Sequence, residues 1–362
     1  MRTSTLELLL QRTTSATSIY SALDPYNVSL VGGRVMEVGV GGLMLGGGLS
    51  YLSDLYGLAC DNVVSFAVVL ANGSAVQATY SQHPELFWAL KGGSNNFGIV
   101  TEFTAKTFPI SQAWGGMQVF SLDHASDVLG ALYEYQEAEN KDLYANCIIN
   151  VLPINSTLFL TLIYLKPVEK PKAFAPFYDL TPLLDKTGFY TLHELMAMFP
   201  VGNVPRWTWY ENSLEPNKGL YKDIGRALTA TNDSDIKRIA GFPSGTLVAA
   251  LQPIDKNVAL AGEERGGNPL GIEAKNQLWF SVNVGWDGQE HDAAASAAIE
   301  SLNFKMESLI KEADAGVDYV FMNDANSKQA VIKSYGGKNV QRLRDIQRVY
   351  DPDQVFQKLF PL

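Results

Sequence analysis

The sequence predicts an α+β protein of two domains, the second built on an antiparallel sheet covered on one face by helices. Three observations predict it. Eight glycines crowd between Gly32 and Gly48 among apolar residues, a strand–turn–strand pattern follows them, and beyond Ile110 helical stretches alternate with strand-like runs. The length of 362 residues agrees, since domains of ordinary size hold roughly 100–200 residues each.

The glycines are Gly32, Gly33, Gly39, Gly41, Gly42, Gly46, Gly47 and Gly48. Glycine serves where backbone turns with positive φ or approaches something closely. Flexible linkers are glycine with serine and polar residues, whereas "VMEVGVGGLMLGGGLSYL" is glycine with apolar residues. That texture predicts buried backbone packed against a ligand or another strand.

Next come the β-branched run Asn62–Leu70 and the alternating run Ser74–Tyr80, joined through Asn72-Gly73. The Asn-Gly pair predicts a hairpin. Pro84 opens a short helix that Gly92 and Gly93 stop. A strand is expected from Phe97 to about Phe108.

In the second domain, helices are expected at His124–Asn140 and Asp292–Ala313. Strands are expected at Tyr144–Leu152, Leu158–Leu165, Thr246–Pro253 and Gln277–Val284. A last helix, Lys338 to Val349, sets Val340, Leu343, Ile346 and Val349 on one stripe.

Composition excludes several classes of function. The net charge is −10, from 28 basic and 38 acidic residues, with no basic stripe to displace counterions from phosphates. Nucleic acid is therefore not a partner. No apolar run is long enough to span a bilayer. Cys60 and Cys147 are too few for a disulfide framework or a thiolate metal site and read as two buried thiols. The four histidines, His83, His124, His193 and His291, are dispersed, and no metal is expected. The opening stretch carries Glu7, Gln11 and Arg12 around a short apolar patch, which is not a signal peptide. Sequons at Asn27, Asn72, Asn155 and Asn232 favour secretion only mildly, so localisation stays open.

Several catalytic motifs fail at named positions. Gly39 and Gly41 begin a G-x-G-x-x-G fingerprint, but Met44 stands where the third glycine belongs, which argues against an NAD-dependent dehydrogenase. No phosphate-binding G-x-x-x-x-G-K-[ST] loop is present. His193-Glu194 starts like a zinc-protease helix, yet position 197 is Ala197. A G-x-S-x-G elbow is missing, because Gly92-Gly93-Ser94-Asn95 continues to Asn96.

An ordered series of short elements carries a resemblance instead. From Val31 to Pro109 it comprises Val38-Gly39-Val40-Gly41-Gly42, Gly46-Gly47-Gly48-Leu49-Ser50, Tyr56-Gly57-Leu58, Asp61-Asn62-Val63, Asn72-Gly73, Glu85-Leu86-Phe87-Trp88-Ala89, Lys91-Gly92-Gly93 and Phe97-Gly98-Ile99-Val100-Thr101. Near the C-terminus stand Tyr335-Gly336, Asn339, Arg342-Leu343, Tyr350-Asp351-Pro352 and Val355-Phe356. Together they resemble the FAD-linked oxidoreductases of the vanillyl-alcohol-oxidase superfamily, with a PCMH-type FAD-binding domain. More narrowly, they resemble the berberine-bridge-enzyme-like and 6-hydroxynicotine-oxidase-like proteins of fungi.

The resemblance implies three regions. Residues 1–110 would form the C-terminal half of the FAD-binding domain, 111–315 a substrate-binding α+β domain, and 316–362 a segment returning to the FAD domain. It implies FAD as cofactor. Gly39, Gly41, Gly42, Gly46, Gly47, Gly48 and Ser50 would serve its pyrophosphate, ribityl and ring contacts through backbone amides. Gly98 and Val100 would meet the adenine end, and Asn323 would stand beside the flavin ring. The reaction implied is oxidation of a small organic substrate, expected to be a secondary metabolite, with hydride transfer to flavin N5 and reoxidation by dioxygen. Tyr210, Glu211, Glu194 and Tyr164 are candidates for the base, and sequence does not choose among them.

Three departures from the family pattern stand out. No Arg-x-x-Gly-Gly-His loop precedes Val31, so an N-terminally truncated domain with unpaired strand edges is expected. Val35 occupies the position of a cysteine that links the flavin in some members, so no thioether can form. The family's Asn-Tyr reads Asn323-Asp324. The alternative to an active oxidoreductase is a non-catalytic remnant that binds a small molecule or partner.

Overall fold

Two antiparallel sheets organise the chain. In the computed structural model, residues 7–11, 15–198 and 203–359 are described. The readings that fall on residues 1–6, 12–14 and 360–362 lie outside them. The first sheet comprises β1 (Glu7–Gln11), β2 (Ser29–Leu30), β3 (Val63–Val69), β4 (Ala75–Thr79) and β5 (Ile99–Phe108). Its order is β1-β5-β3-β4, with β2 on the end of β5. The hairpin forms as expected: Gly73 takes φ +81° and Asn72 Oδ1 accepts the Ser74 N–H at 3.0 Å. Strand β1 was not anticipated; it pairs along β5 from Glu7 opposite Lys106 to Gln11 opposite Glu102.

Short helices cover this sheet: α1 (Ala16–Leu23), α2 (Val40–Leu45), α3 (Ser53–Tyr56) and α4 (Pro84–Leu90). Ser15 caps α1 by accepting the Ser18 N–H, and Pro84 opens α4 as its spacing predicts.

The second sheet runs β6 (Ala113–Ser121), β7 (Ala145–Leu152), β8 (Thr157–Tyr164), β9 (Leu184–Asp185), β10 (Gly188–Tyr190), β11 (Arg206–Leu214), β12 (Thr246–Ile254), β13 (Gln277–Trp286) and β14 (Gly316–Val317). Its order is β10-β6-β8-β7-β12-β13-β11-β14, with β9 on β6. The helices of this region are α5 (Ala125–Gln136), α6 (Leu192–Ala197), α7 (Lys218–Thr229), α8 (Ser234–Ala240), α9 (Asn257–Glu264) and α10 (Asp292–Glu312).

Strand alternation gives this sheet two different faces. Leu158, Leu160, Leu162, Leu251, Phe280 and Val282 pack with Val128, Leu132, Ile224, Ile299 and Leu302 from the helices. Ile148, Ile163, Ala250, Ile254 and Trp279 point the other way and share a core with Leu49, Leu58 and Phe321. The sheet is thus covered by helices on one face, as expected, and its other face is partly buried against the first region.

The last segment adds α11 (Val331–Ser334), α12 (Gly337–Tyr350) and α13 (Val355–Leu359). Leu343 and Ile346 of the expected stripe are buried, but Val349 is 73% exposed. Helix α12 packs on α4, which has half as many residues and cannot cover its final turn. The open edge of β11 is closed by side chains: Gln329 Oε1 accepts the Glu211 N–H at 3.1 Å and Gln329 Nε2 donates to the Glu211 carbonyl at 2.7 Å. One amide side chain thereby stands in for a neighbouring strand.

Candidate functional site

The glycine-rich segment folds into helix α2 followed by a tight turn. Gly46, Gly47 (φ +111°) and Gly48 (φ +82°) form the turn and are buried. Their N–H groups serve the fold itself: Gly46 donates to the Gly42 carbonyl at 3.1 Å and Gly47 to that of Met44 at 3.4 Å. The Gly47 and Gly48 carbonyls accept from Cys60 at 2.9 Å and Ala59 at 2.8 Å. A Cβ on Gly46 would stand 2.5 Å from Asn323 Nδ2, and one on Gly48 would stand 2.7 Å from the Ala59 Cβ. Gly39 and Gly42 differ. Both are exposed, and a Cβ on either would meet nothing within 4 Å. Gly41 lies between them, half-buried in the first turn of α2.

Asn323 closes the turn from 275 residues away. Its Oδ1 accepts the Gly48 N–H at 3.0 Å, and its Nδ2 donates to the Gly42 carbonyl at 3.2 Å. The backbone that presents it is fixed from the second sheet. Phe321 stacks on Trp279 with ring centroids 4.5 Å apart, and its N–H donates to Glu211 Oε2 at 3.0 Å. Sheet, loop and glycine turn form one connected unit.

A polar relay runs beside it. Arg34 donates to Gln252 Oε1, and Gln252 Nε2 donates to Asp324 Oδ2 at 2.8 Å. Gln252 is buried, and the Arg34 guanidinium also lies over the Tyr51 ring, 5.8 Å from its centroid. Burial pushes the Asp324 carboxyl above the usual range, with Arg34 and the Gln252 amide pulling against it. Sequence reasoning singled out Asp324 only as a departure and missed its partners. No local signal points to them, because residues 34, 252 and 324 meet only through the fold.

The remaining candidates take other roles. Ser50 is buried; its N–H donates to Ser53 Oγ at 3.0 Å and its Oγ accepts from the Leu52 N–H at 3.3 Å, so both are used within the turn. Gly98 and Val100 lie at the start of β5 against β3: a Cβ on Gly98 would meet Val68 at 2.5 Å, and Val100 pairs with Val68. A link from that loop to the glycine turn runs through the Ser94 N–H, which donates to the Leu45 carbonyl at 3.0 Å.

Among the four base candidates, Tyr210 packs in the helix-side core and Tyr164 donates to Asp142 Oδ2 at 2.9 Å on that same face. Glu194 caps α6, accepting the Thr191 N–H at 2.8 Å. Only Glu211 reaches the Asn323 loop. Burial pushes its carboxyl well up, and its two oxygens already accept Ser213 Oγ–H at 2.9 Å and the Phe321 N–H. Among the described residues no cluster of His, Cys, Asp or Glu could hold a metal, and no helix is long and apolar enough to cross a membrane. Cys60 and Cys147 are both buried free thiols. A concavity of about 580 Å³ lies away from the turn, with Ser121, Asp123, Arg226 and Thr229 in its wall.

A small antiparallel sheet with a glycine turn, clamped by Asn323 against a large helix-backed sheet, is the arrangement that the resemblance to FAD-linked oxidoreductases implies. Comparison with known proteins agrees. Residues 10–79 match the family described as FAD binding domain, and residues 318–358 match that described as berberine and berberine like. The bifunctional solanapyrone synthase of Alternaria solani is 33% identical over 344 residues, 95% of this chain and 66% of that protein. An FAD-dependent monooxygenase of Fusarium proliferatum is 33% identical over 366 residues, covering 95% of this chain and 69% of that one. The chain spans about two thirds of the length of these relatives.

Solved structures share the fold. The 6-hydroxy-D-nicotine oxidase of Arthrobacter nicotinovorans matches with a TM-score of 0.77 at 18% identity, over 96% of this chain and 76% of its own. The xylooligosaccharide oxidase of Myceliophthora thermophila, in complex with xylobiose, matches with a TM-score of 0.77 at 21% identity, over 98% and 78%. The chain belongs to the berberine-bridge-like FAD-linked oxidoreductases, whose cofactor is FAD.

Proposed function

We propose that this chain binds FAD along the glycine turn and oxidises a small organic substrate, a secondary metabolite, held between that turn and the open face of the second sheet. The single observation that carries the reading is Asn323, which joins the turn and the sheet through hydrogen bonds to Gly48 and Gly42. The fit to the cofactor rests on Gly39 and Gly42, whose exposed backbone leaves room where any other residue would place a side chain. Amides of the first turn of α2 lack intrahelical acceptors and suit an anion such as a pyrophosphate. The inner glycines, with their N–H groups already engaged, shape the turn.

When bound, FAD supplies a two-electron acceptor that takes a hydride at N5 and returns the electrons to dioxygen. The substrate must also release a proton, and the chain's own groups handle it. Asp324 is the acceptor this arrangement favours, because it adjoins Asn323 and Gln252 orients it. Arg34 stabilises the ionised form that accepts the proton. Glu211, its oxygens engaged, positions the Phe321–Asp324 loop instead. Val35, in place of a cysteine, suits a flavin without a thioether link.

The experiment is purification of the full chain and its visible spectrum, before and after incubation with FAD and gel filtration. A yellow protein that releases flavin on denaturation supports the proposal. A folded protein that stays colourless after incubation refutes it and favours a non-catalytic role.

A further inference from the structure

The geometry points to Trp209 as a stacking platform on the substrate-facing side of the second sheet, built for a neutral, planar, conjugated molecule that carries a hydroxyl donor. This rests on the reading of the chain as an oxidoreductase acting on a small organic substrate. Alternation along β11 fixes the face. Tyr210 packs in the helix-side core, while the Glu211 carboxylate meets the Phe321 N–H on the opposite side. Trp207 and Trp209 therefore share the Glu211 face, the one that carries the Phe321–Asp324 loop.

Trp209 is 39% exposed, an unusual degree for an indole on this face, and its N–H has no acceptor among the described residues. Its ring stacks on Trp207 with centroids 6.1 Å apart and planes at 24°. Trp207 is pinned by its own Nε1–H, which donates to the Val204 carbonyl at 3.0 Å. Gly285 lies beneath: a Cβ there would come within 3.1 Å of the Trp207 ring, so only glycine lets the indole lie flat on β13. The Trp209 carbonyl accepts from Asn326 Nδ2 at 2.7 Å, three residues along the loop from Asn323. The pair is thus a rigid, extended aromatic surface tied to the loop that closes the glycine turn.

A second observation supplies the polar contact. Asn283 stands opposite Trp209 in the β11–β13 register, and its buried Oδ1 accepts no hydrogen bond among the described residues. A buried acceptor left in this state is unfavourable unless a ligand donates to it. The charged groups on this face are already engaged: Arg34 and Asp324 through Gln252, and Glu211 with the Phe321 N–H. Beyond the Asp324 carboxyl, what this face offers a ligand is an indole face and the Asn283 amide, whose enclosed oxygen is presented by rotation of the side chain. A planar conjugated ring with one hydroxyl uses both, whereas a sugar would leave most of its hydroxyls unmatched here.

The test is calorimetric titration of the full chain with 2-naphthol, with decahydro-2-naphthol as the non-planar control. 2-Naphthol should bind, and the saturated compound should bind at least about tenfold more weakly. Trp209→Ala should weaken 2-naphthol by about tenfold while Trp209→Phe retains most of the affinity. Asn283→Ala should weaken 2-naphthol but leave 2-methoxynaphthalene, which cannot donate, unchanged. Trp209→Leu replaces the alanine variant should its thermal melt show loss of fold. Equal binding of the planar and saturated compounds, unchanged affinity in folded Trp209→Ala, or displacement of 2-naphthol by xylobiose would overturn the inference. The cofactor reading is separate: a colourless protein that binds 2-naphthol through Trp209 refutes the flavin, and a yellow one indifferent to 2-naphthol refutes the platform.

Discussion

Replacing Asn323 with alanine removes the clamp between the C-terminal loop and the glycine turn, and its cost follows from two contacts. The Gly48 N–H is buried and loses its acceptor, which costs about 1–3 kcal/mol. The Gly42 carbonyl lies at an exposed position, where water replaces the lost Nδ2–H donor at little cost. The net destabilisation is therefore about 2 kcal/mol, read as a lower urea midpoint with an unchanged slope. If the turn relaxes without its clamp, FAD must restore its shape on binding and spends up to that amount doing so. Affinity should then fall by as much as about thirtyfold. Asn323→Asp should lie between, since a carboxylate still accepts from Gly48 but no longer donates to Gly42. Calorimetric titration with FAD and urea unfolding give both readings. An Asn323→Ala protein that matches the parent in midpoint and in FAD affinity would refute the clamp.

Other perturbations test neighbouring parts of the account. Burial pushes the Asp54 carboxyl up to about 7, so the folded state holds a proton there that the unfolded chain releases. Its contribution is present in full below the ordinary carboxylate range and is lost as pH rises through about 7; Asp54→Asn should gain stability over the parent at about pH 8.5, by about 1–4 kcal/mol, and lose that advantage near pH 4. Lys91 is buried and donates to the carbonyls of Arg265 at 3.0 Å and Gly267 at 3.3 Å; Lys91→Met should cost about 2–3 kcal/mol in urea unfolding by leaving both unpaired. Glu211→Gln keeps the shape of the protonated carboxyl and should unfold within about 1 kcal/mol of the parent, whereas Glu211→Ala, which strands the Phe321 N–H, should lose about 2 kcal/mol or more.

How legible this site was depends on how local each signal is. Asn72-Gly73 and Pro84 act within a few residues, and the hairpin and α4 stand where they were expected. The strongly apolar strands of the second sheet, such as Gln277–Val284, were also found, though β13 runs on to Trp286. Strand β11 went unread because its run from Arg206 to Leu214 mixes polar and aromatic residues and owes its edge pairing to Gln329, more than a hundred residues on. Choosing among Tyr210, Glu211, Glu194 and Tyr164 required strand parity and register, which one sequence does not carry. Glycine density marked the turn correctly as a special place. Which glycines are spent on the fold and which leave open backbone became visible only once Ala59, Cys60 and Asn323 were packed around them.

The central claim is that the open glycine edge of α2 receives the flavin nucleotide, and Gly42→Leu tests it most directly. The position is helical and has empty space where the side chain would go, so leucine should fold normally and gain about 0.5–1 kcal/mol of helix stability. Calorimetric titration with FAD should nevertheless show binding to the parent and a loss of at least about tenfold in Gly42→Leu, because the new side chain occupies the ligand's place. A folded Gly42→Leu protein that binds FAD as tightly as the parent would contradict the account.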